Sequence, residues 1–173
     1  MNILQNPMTR YRLSLGLFIL GLILSGITAF PLLIELRLLC QIFGIDKITD
    51  PQSLEGIRYW ILVVKLGLEE IYSKYPWYAY GTDWLAFGHL VISLFFIVPW
   101  FKPIGNEWVL WIGIIACLGV LPLALICGEI RGIPFYWRLI DCSFGLFGIL
   151  PLMYCLRQIK QYKQSADFAD QNS

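Results

Sequence analysis

The residues of this chain best suited to chemistry are His89 and Asp141, with Glu35, Ser93, Glu129, Arg131 and Arg138 as polar companions in otherwise apolar sequence. An imidazole titrates near neutrality, and a carboxylate can orient it or act as the acid, so His89 and Asp141 form a candidate acid–base pair. Arg131 and Arg138 carry planar guanidinium groups that suit a phosphate or carboxylate. Binding of a small ligand, a lipid headgroup or a partner protein is the leading expectation. The alternative is an outer-leaflet enzyme acting on lipid or acyl groups, with His89 as base.

Other chemistries are poorly supplied. A single His excludes paired-histidine metal motifs and bis-histidine haem within the chain, and the 5 Cys include no C-x-x-C, so neither metal nor cofactor is expected. Ser93, Ser143 and Cys142 are possible nucleophiles, but no G-x-S-x-G turn presents one. A disulfide among Cys40, Cys127 and Cys142 is left open by the sequence.

These residues must be positioned by membrane helices. The chain has 173 residues, 58% hydrophobic and 14% charged, with a mean hydropathy of +0.66. That composition describes an integral membrane protein, and a net charge of +1 argues against nucleic acid as a partner. Four apolar runs are long enough to cross a bilayer, at about 13–34, 84–101, 108–127 and 134–156. The first continues through Phe30-Pro31-Leu32 without a cleavage motif and reads as a retained span, not a signal peptide. The expected fold class is all-α, a four-helix polytopic membrane protein with one domain over 1–163 and a disordered polar tail at 164–173.

Arg10 and Arg12, Lys102, and Arg157, Lys160 and Lys163 adjoin the spans on one side, which the positive-inside rule makes cytoplasmic, with both termini inside. Between the first two spans, Asp50-Pro51 resembles a capped helix start. Leu54, Ile57, Ile61, Val64, Leu68 and Ile71 then recur on one helical face, opposite Glu55, Arg58, Lys65 and Glu69. An amphipathic helix over 51–74 is expected on the outer surface, followed by an aromatic run from Tyr72 to Trp84 that suits the headgroup belt.

In this orientation Glu35, His89, Glu129, Arg131, Arg138 and Asp141 all fall near the outer ends of spans, with His89 about 9 Å inside the second at 1.5 Å per residue. Buried charge is costly in a bilayer unless it pairs or faces a watered cavity. The pattern therefore predicts an outward polar pocket, with Arg138 and Asp141 paired three residues apart. Gly145 and Gly148 share their side and permit close helix approach. The plainer reading is a structural clamp between Arg138 and Asp141, and an interior hydrogen bond for His89.

The stretches Thr28–Leu32, Tyr80–His89 and Ile130–Gly145 resemble those of an uncharacterised family of small four-span bacterial inner-membrane proteins. The resemblance implies four spans and a bacterial inner membrane. It brings no activity, cofactor or substrate.

Overall fold

Proline sets most of the helix boundaries in this chain. In the computed structural model, which describes residues 6–171, the helices are α1 (Pro7–Ala29), α2 (Leu32–Ile42), α3 (Gly56–Lys74), α4 (Ala79–Phe95), α5 (Ile97–Phe101), α6 (Glu107–Pro122), α7 (Gly128–Ile130) and α8 (Phe135–Gln171). No strand occurs among the described residues. Four helical stretches are long and apolar enough to cross a membrane: Pro7–Ala29, Pro76–Phe101, Glu107–Ile130 and Phe135–Phe168. The protein is an all-α polytopic membrane protein.

Each span boundary differs from its sequence expectation for a local reason. The first helix starts at Pro7, where Asn6 Oδ1 accepts from Met8 N at 2.9 Å, an N-cap with proline in the first helical position. It stops at Ala29, because Pro31 has no N–H to give and its ring crowds the preceding turn. Glu35 consequently sits in the first turn of a separate helix, α2, and not at the end of the first span. The second span starts near Pro76 and pauses at Phe96, between α4 and α5, just before Pro99. In the third, Pro122 is followed by a π turn at Leu123–Cys127 and then by α7. The third span ends in a paired C-cap: Gly132 N donates to Glu129 O and Ile133 N to Gly128 O, with Gly132 at φ +70°, a conformation that favours glycine. Pro134 immediately precedes α8 and its carbonyl accepts from Arg138 N at 3.1 Å.

The tail expected to be disordered is helical as far as it is described. Helix α8 continues through Gln171, because residues 164–171 contain neither glycine nor proline and include good helix formers such as alanine and glutamine. Residues 172–173 lie outside the described residues.

The single domain expected over 1–163 divides into two compact units, Met1–Leu22 with Ile92–Ser173 and Ile23–Val91. In the first, parts of all four spans share one core of Tyr11, Leu15, Phe96, Val109, Leu110, Ile114, Leu152, Cys155 and Ile159. Burying that many large side chains is worth tens of kcal/mol in water, but lipid is as apolar as they are, so close packing and internal hydrogen bonds must hold the helices together. The polar stitches are visible. Tyr11 donates its hydroxyl to Pro99 O at 2.8 Å, Trp100 Nε1 donates to Arg12 O at 2.9 Å, and Ser14 donates to Pro151 O at 3.2 Å. At the start of α6, Glu107 pairs with Lys163 of α8 at 2.6 Å.

The second unit is built on the α2–α3 pair. Leu36 and Cys40 of α2 are buried with Ile61 and Leu62 of α3, and Ile45 after the glycine turn at Gly44. Helix α3 begins at Gly56, not at Pro51. Asp50 does accept from Gln52 N at 3.0 Å, but that cap serves only a short 3-10 turn over Pro51–Ser53, after which Leu54 and Glu55 are extended. The expected division of its faces also shifts. Leu62 is fully buried and Lys65 and Glu69 lie one and two turns beyond it, so this partly charged stripe meets α2, while Ile57 is exposed. The reason is the charge on α2: Arg37 offers Glu69 a partner that water alone would otherwise supply.

Candidate functional site

The candidate site lies in the first unit, where α8 leaves the end of the third span. Glycine allows the two helices to meet: a Cβ at Gly145 would stand 2.5 Å from Cys117 O, and one at Gly148 would stand 2.8 Å from Cys117 Sγ. This is the close approach anticipated from those two glycines. Elsewhere the small-residue reading divides. Gly113 is packed against Phe96 and Leu152, whereas Gly21 and Gly119 have open space beside them.

Beyond Gly145 the π turn alters the facing helix. One extra residue per turn displaces side chains relative to a regular α-helix, and such insertions are frequent at functional sites. A cleft of about 250 Å³ is left there, lined by Val120, Leu123, Ala124, Cys127, Gly128, Arg131, Ile133 and Asp141. Its only charged lining residues are Arg131 and Asp141. Cys127 is the exposed thiol of the chain's five free cysteines; Cys40, Cys142 and Cys155 are buried.

Arg138 does not pair with Asp141. Its guanidinium forms an ion pair with Glu129, and Nη1 also donates to Leu125 O at 3.2 Å. The carbon of the guanidinium stands 5.3 Å from the centroid of the Phe135 ring, within the range of cation–π attraction. The side chain is only 12% exposed, against 70% for Glu129. Its stem fills the space that Gly128 leaves, since a Cβ on Gly128 would meet Arg138 Cδ at 2.7 Å. The partner changed because the π turn and the α7 cap bring a carbonyl and a carboxylate to Arg138 from the third span, a competition that three-residue spacing along α8 does not reveal. Arg138 Nε is buried without a hydrogen-bond partner.

Asp141 is half-buried and Arg131 exposed. Neither side chain has a hydrogen bond or salt bridge among the described residues, and both residues are among those that line the almost wholly apolar cleft. Asp141 lies six residues beyond Phe135, roughly 9 Å along α8.

The remaining expected residues lie elsewhere. His89 and Asp141 are divided between the units, and the His89 ring engages its own helix, with Nδ1 2.9 Å from Leu85 O. Ser93 is buried at 3% exposure and does not line the cleft. Glu35 is in the first turn of α2, where a carboxylate complements the helix dipole. The structure thus brings together Glu129, Arg131, Arg138 and Asp141 of the expected set. It adds the Leu125 carbonyl, Cys127 and Gly128. Pro122 inside an apolar run was the sequence signal for irregular helix here; nothing in the sequence pointed to Leu125 itself.

A second charged cluster occupies the α2–α3 pair. Arg37 Nε donates to Glu69 Oε1 at 2.9 Å and Lys65 Nζ lies 3.3 Å from Glu69 Oε2. Burial pushes the Glu69 carboxyl up, but the hydrogen bonds from Arg37 and Lys65 outweigh it and hold the group below its ordinary value. Beside it, burial pushes the Cys40 thiol up, against the opposing pull of Lys65. No group of three or more His, Cys, Asp or Glu side chains is placed to hold a metal ion among the described residues.

Set against family models, curated proteins and solved structures, the chain matches none.

Proposed function

We propose that this protein is a binding or accessory protein of the bacterial inner membrane whose cleft, between the π turn and α8, takes the polar end of an amphipathic ligand. The observation that carries the reading is an almost wholly apolar cleft that has two residues of opposite charge, Arg131 and Asp141, among those lining it, neither matched by a side chain among the described residues. Charge at a span end is normally neutralised by a partner or by water. Arg138 has found Glu129 and Leu125 O, so it belongs to the frame of the cleft. Arg131 and Asp141 are the contacts left for a ligand.

The distribution of Arg10, Arg12, Lys102, Arg157, Lys160 and Lys163 supports a cytoplasmic position for both termini and a cleft that opens toward the outer leaflet. Cysteines introduced at Asn106 and Ser165 should label from the cytoplasm and one at Gln52 from outside. Outside labelling at Asn106 overturns this orientation.

Occupancy is tested by filling the cleft. Ala124 is buried and lines it, so Ala124→Trp should expel a ligand held there. Native mass spectrometry of the purified chain should show retained phospholipid that the variant loses. Identical lipid adducts on a folded variant would sink the proposal.

A further inference from the structure

We infer that α2 is the lipid-facing helix of the second unit: it lies in the bilayer interface on a stripe of Ile34, Leu38 and Ile42, with α3 stacked on its other side. The α2–α3 segment is tied to the membrane at both ends. Helix α1 ends at Ala29, just before α2 begins at Leu32, and the next crossing stretch begins at Pro76, just after α3 ends at Lys74. The 23 residues of α1 already cover about 34 Å at 1.5 Å per residue, more than the roughly 30 Å of hydrocarbon. With 11 residues, α2 is too short to cross, and it follows directly on a completed span.

The exposed apolar face of the span runs on into α2. Leu24, Ile27, Phe30, Ile34, Leu38 and Ile42 follow one another at steps of three or four residues, and each is 45–69% exposed. The opposite side of α2 is occupied. Leu36 and Cys40 stand two residues from Leu38 in either direction, about half a turn round the helix, and both are buried where α2 meets α3. Helix α3 holds the charge of the pair: Lys65 and Glu69 join Arg37, and Glu70 and Lys74 are exposed. The unit is thus sorted from an apolar stripe, through a shared core, to a charged helix, which is the order a helix pair needs to lie on a bilayer. Periodicity assigned the surface-lying role to α3, but its Ile61 and Leu62 are buried in the pair. Trp77 and Tyr78, directly after α3, are exposed, and such rings are favoured at headgroup level.

Fluorescence quenching tests the assignment on the full-length chain in phosphatidylcholine vesicles. With Cys127→Ser removing the exposed native thiol, a dye is attached through Ile34→Cys, Leu38→Cys or Ile42→Cys on α2, or through Glu70→Cys on α3. Lipid brominated along its acyl chains should quench each α2 dye at least about threefold more than the Glu70 dye, and aqueous iodide should do the reverse. Bromolipid quenching at Leu38 no greater than at Glu70 overturns the assignment. So does shielding of the Leu38 dye from both quenchers together with disulfide-linked dimers of Leu38→Cys, which would put a second copy on the stripe. Replacing both Ile34 and Leu38 with Asp should lift α2 from the lipid and cut bromolipid quenching at Ile42→Cys about threefold. Unchanged quenching there counts against the assignment equally. Should that double variant fail to fold, the singly labelled positions, all exposed, decide the matter.

Discussion

Glu69 and Asp141 are both carboxylates set among apolar helices, yet Glu69 lies between two cations while Asp141 has no partner among the described residues. In the α2–α3 pair the charges close on themselves, and the cluster acts as a latch between two helices. Beside the π turn, Arg138 is closed in the same way by Glu129 and Leu125 O, whereas Arg131 and Asp141, which line the cleft, have no such partner among the described residues. The contrast separates two uses of charge near a membrane. A closed set supports the fold; an unpartnered pair of opposite sign adds no such support.

The largest effect that can break this contrast is loss of the Arg138 partner. Glu129→Ala leaves a mostly buried guanidinium with one carbonyl and should destabilise by about 3 kcal/mol, the low end for breaking a buried pair because Glu129 itself is exposed. Glu69→Ala, which frees an Arg37 side chain already 56% exposed to water, should cost about 1 kcal/mol or less. Chemical unfolding of both variants in detergent measures the difference, and equal losses would mean that Arg138 is not held as described.

Gly145→Ala comes next, at about 1–3 kcal/mol, since its Cβ would meet the backbone of Cys117 and the helices must move apart. A harmless substitution there, read in the same unfolding assay, would show that α6 and α8 do not depend on this approach. Asp141→Asn should change stability by less than about 1 kcal/mol, because it removes no ion pair. A loss near 3 kcal/mol would reveal a hidden partner and return Asp141 to the supporting frame.

The smallest effect concerns pH. The Glu69 carboxyl titrates below its ordinary value, so the stability it contributes is fully present above the unfolded-state value, about 4.3, and is lost as pH falls through the lowered folded value. Thermal midpoints followed from pH 7 to pH 3 should show a fall below about pH 4 in the wild type that Glu69→Gln lacks. An identical profile in the variant would remove Glu69 from the latch.

The legible part was which charged residues lie close to one another. Glu129, Arg131, Arg138 and Asp141 stood out because charged residues are conspicuous beside apolar runs, and they do gather at one place. Their partnerships were not legible. Arg138 and Asp141 share a side of α8 by spacing, but a guanidinium on a long, flexible stem reaches whichever acceptor the neighbouring helix presents. The same limit applied to α3, whose apolar periodicity was clear while its ion pair to α2 came from Glu69, drawn by Arg37 from a distant part of the chain.

The amino-acid sequence by itself determined that this is a helical membrane protein with four spans, because a bilayer leaves no backbone polar group unpaired and about 20 apolar residues suffice to cross it. It also determined most helix stops, because proline lacks the N–H that the preceding turn requires. The tertiary structure alone decided which charges closed into pairs and which stayed open. That outcome depends on distances between helices, on the π turn after Pro122 and on the close contact at Gly145, none of which is a property of residues taken one after another.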